Sequence, residues 1–216
     1  MITESELELE PQSELKVEVL NAEQLKLAAS VLYMAYHDDP LFMQIFRVEQ
    51  VDYEKRLRSA IREDLAAFWD AGQPILGLLQ GEQLLGVACI TQPDSALSGD
   101  RFWHWRLKML LTAGLLSTRQ MLEKEQKIHA AIPAQHYHML AFLARNPAYH
   151  HSAAMRTFLQ AIDHWVDQDP QSEGIGVFVT LDKYLALFQQ DEYQKVCTLE
   201  FQTVSGTLLF RPRQPQ

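Results

Sequence analysis

His136-Tyr137-His138-Met139-Leu140-Ala141-Phe142-Leu143-Ala144-Arg145, followed by Asn146-Pro147-Ala148-Tyr149-His150-His151-Ser152-Ala153-Ala154-Met155, is the stretch that decides the fold. Its first part is a largely apolar, strand-like run, and from Ser152 to about Asp167 the pattern is that of a helix. A strand that runs into a helix N-terminus leaves unpaired backbone N–H groups and the positive end of the helix dipole aimed at one place. Such a place suits an anion.

Working upstream, Leu15 to Leu20 alternates, with Leu15, Val17 and Val19 on one side and Lys16 and Glu18 on the other, as in a half-buried strand. From Ala22 to about His37 apolar residues recur at helical steps until Asp38-Asp39-Pro40 ends the pattern. A second helix is expected from about Val51 to Trp69, with Leu57, Ile61, Leu65 and Phe68 on one face. Ile75–Gln80, the turn Gly81-Glu82 and Gln83–Thr91 form the clearest hairpin. Arg101 to about His129 reads as helix and is basic, six Lys and Arg against Glu123 and Glu125, with Phe102, Trp103 and Trp105 at its start. Downstream come a strand from about Gly174 to Leu181, a short helix through Phe188, and strands near Val196–Phe201 and Thr207–Phe210. Alternating strands and helices closed by a hairpin imply an α/β fold with a mixed sheet.

The 216 residues suit one domain, and 47% apolar with 22% charged residues is a globular composition. A formal charge of −9 repels phosphate backbones, so no nucleic-acid partner is expected, and the basic Arg101–Lys127 segment is read as a helix covering the core. The Met109–Thr118 apolar run is about half of the roughly 20 residues a spanning helix needs, so no membrane partner is expected either. Glu4, Glu6, Glu8, Glu10 and Glu14 precede the first cation, Lys16, unlike a targeting peptide, and a cytoplasmic protein with an acidic tail over 1–14 is the expectation. Cys89 and Cys197 lie in apolar runs without metal-ligand spacing and are expected to be buried free thiols.

Three stretches carry a family resemblance. Ala35-Tyr36-His37-Asp38-Asp39-Pro40-Leu41-Phe42 looks like an "A-F-x-D-D-P-L-F" motif. Met139 to Tyr149 looks like "Y-L-x-x-L-x-V-x-P-x-Y". Leu185-Ala186-Leu187-Phe188 with Tyr193 to Val196 looks like a late "N-x-x-x-Y-E-x-x-G-F" segment. Together with the element order they resemble the GCN5-related N-acetyltransferases, most closely the puromycin-acetyltransferase-like branch, over about residues 15–212 with a helical insert at about 101–129. The resemblance implies a twisted, mixed seven-stranded sheet with helices on both faces. It implies acetyl-CoA as acyl donor and a primary amine of a small molecule or protein as acceptor, joined by direct attack in a ternary complex.

The resemblance places the donor on Leu143 and Arg145 of the pairing strand and on His150, His151, Ser152, Ala153, Ala154 and Met155 at the helix start. Departures from the pattern are expected to weaken that binding. Ala153 and Met155 stand where the diphosphate loop carries glycines, Phe188 where a tyrosine protonates the leaving thiolate, and Glu192 where a glycine follows. His150 and His151 offer part-time positive charge near neutral pH. His138, alternating with His136, is the candidate base, and Tyr184, one helical turn before Phe188, the candidate acid. Asp38 and Asp39 are expected to cap and turn before Pro40. The alternative is a catalytically inactive family member acting as a ligand-sensing or protein-interaction module. A homodimer through the last strands stays open.

Overall fold

The computed structural model describes residues 14–93, 108–111, 113–149, 152–189 and 192–214. The acidic tail before residue 14, His150, His151 and the aromatic start of the basic segment lie outside them. The elements are β1 (Leu15–Val19), α1 (Leu25–Tyr36), α2 (Pro40–Phe46), α3 (Tyr53–Asp70), β2 (Ile75–Gln80), β3 (Gln83–Thr91), α4 (Leu115–Ala131), β4 (His138–Arg145), α5 (Ser152–Asp167), β5 (Gly174–Val179), a 3-10 turn (Asp182–Tyr184), α6 (Leu185–Phe188), β6 (Gln194–Phe201) and β7 (Val204–Pro212). The seven strands make one sheet in the order β1-β2-β3-β4-β5-β7-β6, antiparallel except for β4 against β5. The expected mixed α/β fold is what forms.

Each face of the sheet is covered. On one, Val87, Cys89, Phe142 and Ala144 pack under α1, α2 and α3, with Met121 of α4 joining them. On the other, Ala88, Ile90, Leu140, Ile175 and Val177 pack under α5 through Phe158, Leu159 and Ile162. Alternate β3 residues supply the two clusters, as a pleated strand buried on both sides must. Arg211 of β7 ties the sheet to α5 by two hydrogen bonds to Asp167, of 2.9 and 2.7 Å.

Three elements differ from the sequence reading. The Asp39-Pro40 pair that ends α1 also starts α2: Pro40 sits in the first turn, and the Asp39 carboxylate accepts from the N–H groups of Leu41 and Phe42. The long basic helix is interrupted at Gly114, whose φ of +87° no helix accommodates, so a helical stretch at 108–111 stands apart from α4. Val19 is 62% exposed although it alternates with Leu15 and Val17, because β1 is an edge strand and it is Leu20 beyond its end that turns inward. Cys89 is buried, Cys197 only partly, and both are free. Among the described residues no helix is long and apolar enough to cross a membrane, and no cluster of His, Cys, Asp or Glu could hold a metal ion.

Candidate active site

The sheet opens in its middle. β4 and β5 pair in parallel only through His138↔Ile175, Met139↔Gly176 and Leu140↔Val177. Beyond Leu140, β4 pairs on its other side with β3, from Cys89↔Phe142 to Gly86↔Arg145, while β5 follows β7 as far as Val179↔Thr207. At the point of separation Ala141 is an extra residue, since Ile90 faces Leu140 and the next β3 position, Cys89, faces Phe142. This bulge reverses the side-chain alternation. Leu140 and Phe142 are two residues apart yet belong to opposite cores.

The separated strands are bridged by the corner between α1 and α2. The Tyr36 hydroxyl accepts the Leu143 N–H at 3.1 Å and donates to the Leu143 carbonyl at 3.4 Å, so these backbone groups face away from β3 into the gap. Burial pushes the Tyr36 phenol well above its ordinary range, with the backbone of Leu143 opposing and Asp39 and Tyr184 adding. Its ring is boxed by Phe42 and Phe142, with centroids 5.1 and 5.4 Å away. Asp39, buried and already capping α2, accepts a hydrogen bond from the Thr180 hydroxyl just past β5. On this face Lys124 is buried too, its ammonium 2.6 Å from Glu125. Burial works against its charge, but Glu125, helped by Asp64 and Asp39, raises its pKa.

Leu143 thus lies at the gap, and Arg145 is exposed at the end of β4. Asn146 turns the chain out of the strand: its N–H and side-chain amide donate to the Leu85 and Leu84 carbonyls, and its side-chain oxygen accepts the Ala148 N–H. The turn delivers the start of α5, at Ser152, beyond the end of β4. Ala153 is exposed, whereas Ala154 and Met155 are buried. Met155 packs over Gly86 of β3, where a Cβ would come within 3.3 Å of its sulfur. The bulky residue at a glycine position of the resembled motif therefore points at the sheet and fills the space that a glycine on β3 leaves.

The proposed acid and base lie in different surroundings, Tyr184 half-exposed and His138 fully buried. Tyr184 ends the 3-10 turn that follows Thr180 and is 49% exposed. His138 sits at the closed end of β4, fully buried, on the α5 side of the sheet. Its Nδ1 lies 2.8 Å from the Ser172 hydroxyl and its ring meets Trp165 edge-on at 5.2 Å. Burial lowers its pKa to about 4, with Asp169 opposing. This histidine belongs to the core, and His136, before the strand begins, is exposed. Phe188 is core as well, stacked edge-on against Tyr193 at 5.1 Å, and Tyr193 donates to Asp163. Tyr36, the Ala141 bulge and the Asp39–Thr180 link were not assigned to a site from sequence. Only Asp39 gave a local signal, an acidic residue immediately before proline.

A cavity of about 640 Å³ opens on the outer side of the same corner, lined by His37, Tyr53, Glu54, Arg58 and Arg62 among others. Tyr53 donates to the His37 carbonyl, and the Arg58 guanidinium lies 3.6 Å from the centre of the Tyr33 ring.

No family model matches the chain, and no curated protein is significantly similar to it in sequence. Solved structures are similar in shape. An acetyltransferase from Corynebacterium glutamicum, described as related to the histone acetyltransferase HPA2, superposes with a TM-score of 0.69 at 14% identity, covering 94% of this chain and 98% of the other. A mosquito arylalkylamine N-acetyltransferase-like protein gives 0.59 at 13%, covering 92% and 100%. An agmatine N-acetyltransferase gives 0.57 at 12%, covering 92% and 99%. The mixed seven-stranded sheet with helices on both faces matches the fold of these structures, that of the GCN5-related N-acyltransferases.

Proposed function

We propose that the protein transfers an acetyl or other acyl group from a coenzyme A thioester to a primary amine. The observation that carries this reading is the gap itself: Leu143 turns a backbone N–H and C=O away from β3 at the point where β4 leaves β5. An extended thioester arm can pair there as an added strand would, and an N–H held in a partly dry gap polarises the carbonyl as its oxygen gains charge. The start of α5, from Ser152 to Met155, receives the diphosphate at the positive end of its dipole, with Arg145, His150 and His151 supplying charge.

The acceptor sheds its ammonium proton to water, the neutral amine attacks the thioester carbon directly, the C–S bond breaks, the nitrogen gives up a second proton to water, and the thiolate leaves. Tyr184, a half-exposed phenol, is assigned the return of a proton to that sulfur. The amine reaches the gap from the side of the α1–α2 corner, and the net charge of −9 favours a cationic acceptor. Names among the structural neighbours, an arylalkylamine and an agmatine N-acetyltransferase, support an amine of small size. The finer likeness to the puromycin-acetyltransferase-like branch rests on the three motif-like stretches and the element order together with the helical insert. A cytoplasmic setting agrees with two free thiols.

Calorimetric titration with acetyl-CoA, followed by thiol release in the presence of aryl-, alkyl- and guanidino-amines, tests the reading. A micromolar constant and amine-dependent release of coenzyme A are expected. No heat at millimolar acetyl-CoA overturns the proposal.

A further inference from the structure

The motif resembled by residues 35–42 carries phenylalanine where this chain has Tyr36, so the hydroxyl that holds Leu143 is an addition. It occupies both backbone groups of Leu143 at once, at 3.1 and 3.4 Å. An N–H and a C=O left unpaired in a partly buried gap would each carry a desolvation cost, and one phenol answers both. We propose that the Tyr36 hydroxyl is a stand-in for the thioester carbonyl: it satisfies Leu143 in the empty gap and is displaced when an acyl thioester binds. The proposal rests on the acyl-transfer reading. Because the oxygen is fixed on the axis of the ring, leaving Leu143 takes a small swing of the whole ring between Phe42 and Phe142.

Two consequences separate this role from ordinary packing. Donor binding gives up both phenol bonds to Leu143 and regains one, from the N–H to the thioester carbonyl, so the protein gives up affinity that the ring alone would not cost. The loss concerns the carbonyl and not the rest of the donor, so coenzyme A without an acyl group does not feel it.

The test is Tyr36→Phe, titrated with acetyl-CoA and with coenzyme A. Acetyl-CoA is expected to bind the variant about five- to tenfold tighter, the exchange of roughly one hydrogen bond, with coenzyme A unchanged within twofold. An unchanged acetyl-CoA constant, or equal shifts for both ligands, overturns the stand-in role while leaving acyl transfer intact. A wild-type protein that binds neither ligand overturns the acyl-transfer reading and this proposal with it. Should the variant not fold, 3-fluorotyrosine placed at position 36 of the otherwise unaltered protein carries the test. Its fluorine resonance is expected to move on addition of acetyl-CoA and to stay in place with coenzyme A; immobility under both overturns the proposal.

Discussion

Tyr36 and Asp39, at the end of α1 and the start of α2, reach across the opened sheet in different directions, Tyr36 to Leu143 of β4 and Asp39 to Thr180 beyond β5. The corner between two helices therefore spans the point where two parallel strands part. A gap in a sheet exposes unpaired backbone and invites collapse, and a pair of side chains fixed to its two rims opposes this. Asp39 serves two elements at once, since the carboxylate that meets Thr180 also caps α2.

Replacing Asp39 with Ala removes the cap and leaves the Thr180 hydroxyl without its partner. The expected loss is roughly 2–4 kcal/mol of stability, from a cap and a buried hydrogen bond to a charged group. Thr180→Val removes only the second contact and should cost about half as much. Urea unfolding of the two single variants and the double variant measures the coupling, and fully additive effects would show that the link across the gap contributes nothing.

His138 makes stability depend on pH. Its native pKa is lowered to about 4 from the 6.5 of an unstrained imidazole, so the unfolded chain takes up a proton that the folded protein refuses. The contribution is complete above pH 6.5, is lost progressively as pH falls from 6.5 toward 4, and is gone below that. Melting temperature followed through this window should decline more steeply in the wild type than in a His138→Gln variant. Parallel curves would mean that other groups set the acid limit.

Phe188→Tyr restores the residue of the resembled motif but places a hydroxyl in a core that is 3% exposed at this position. A loss of about 1–3 kcal/mol is expected, with no gain in acetyl-CoA turnover. Thermal unfolding and thiol release measured on the same preparation decide it. Higher turnover at unchanged stability would show that the ring faces the gap.

Glu192 stands where the resembled motif has glycine, and its backbone keeps the conformation that glycine favours, with φ at +62°. Its carboxylate accepts a hydrogen bond from the Gln214 amide at an exposed site. Glu192→Gly should stabilise the protein by about 1 kcal/mol, because the left-handed strain exceeds what an exposed hydrogen bond contributes. A lower denaturation midpoint for the variant would reverse that ranking.

The sequence by itself determined the elements whose signals are local. The β2–β3 hairpin has the bounds its alternation and Gly81-Glu82 turn indicated, α5 runs from Ser152 to Asp167 as its period indicated, and Asp39 caps where an acidic residue precedes proline. These depend on residues a few positions apart, where spacing and geometry are nearly the same thing. Tertiary structure alone decided the site. Tyr36 meets Leu143 across 107 residues of chain, and Asp39 meets Thr180 across 141. The Ala141 bulge leaves no mark in the local pattern, because one extra residue is recognised only against the strand beside it. The same holds for His138, which its place on the strand offered as a base, and for Phe188, which the resemblance set where an acid would stand. Whether a polar or aromatic side chain faces a gap or a core depends on what the rest of the fold lays over it, and here α5, Trp165 and Tyr193 lay a core.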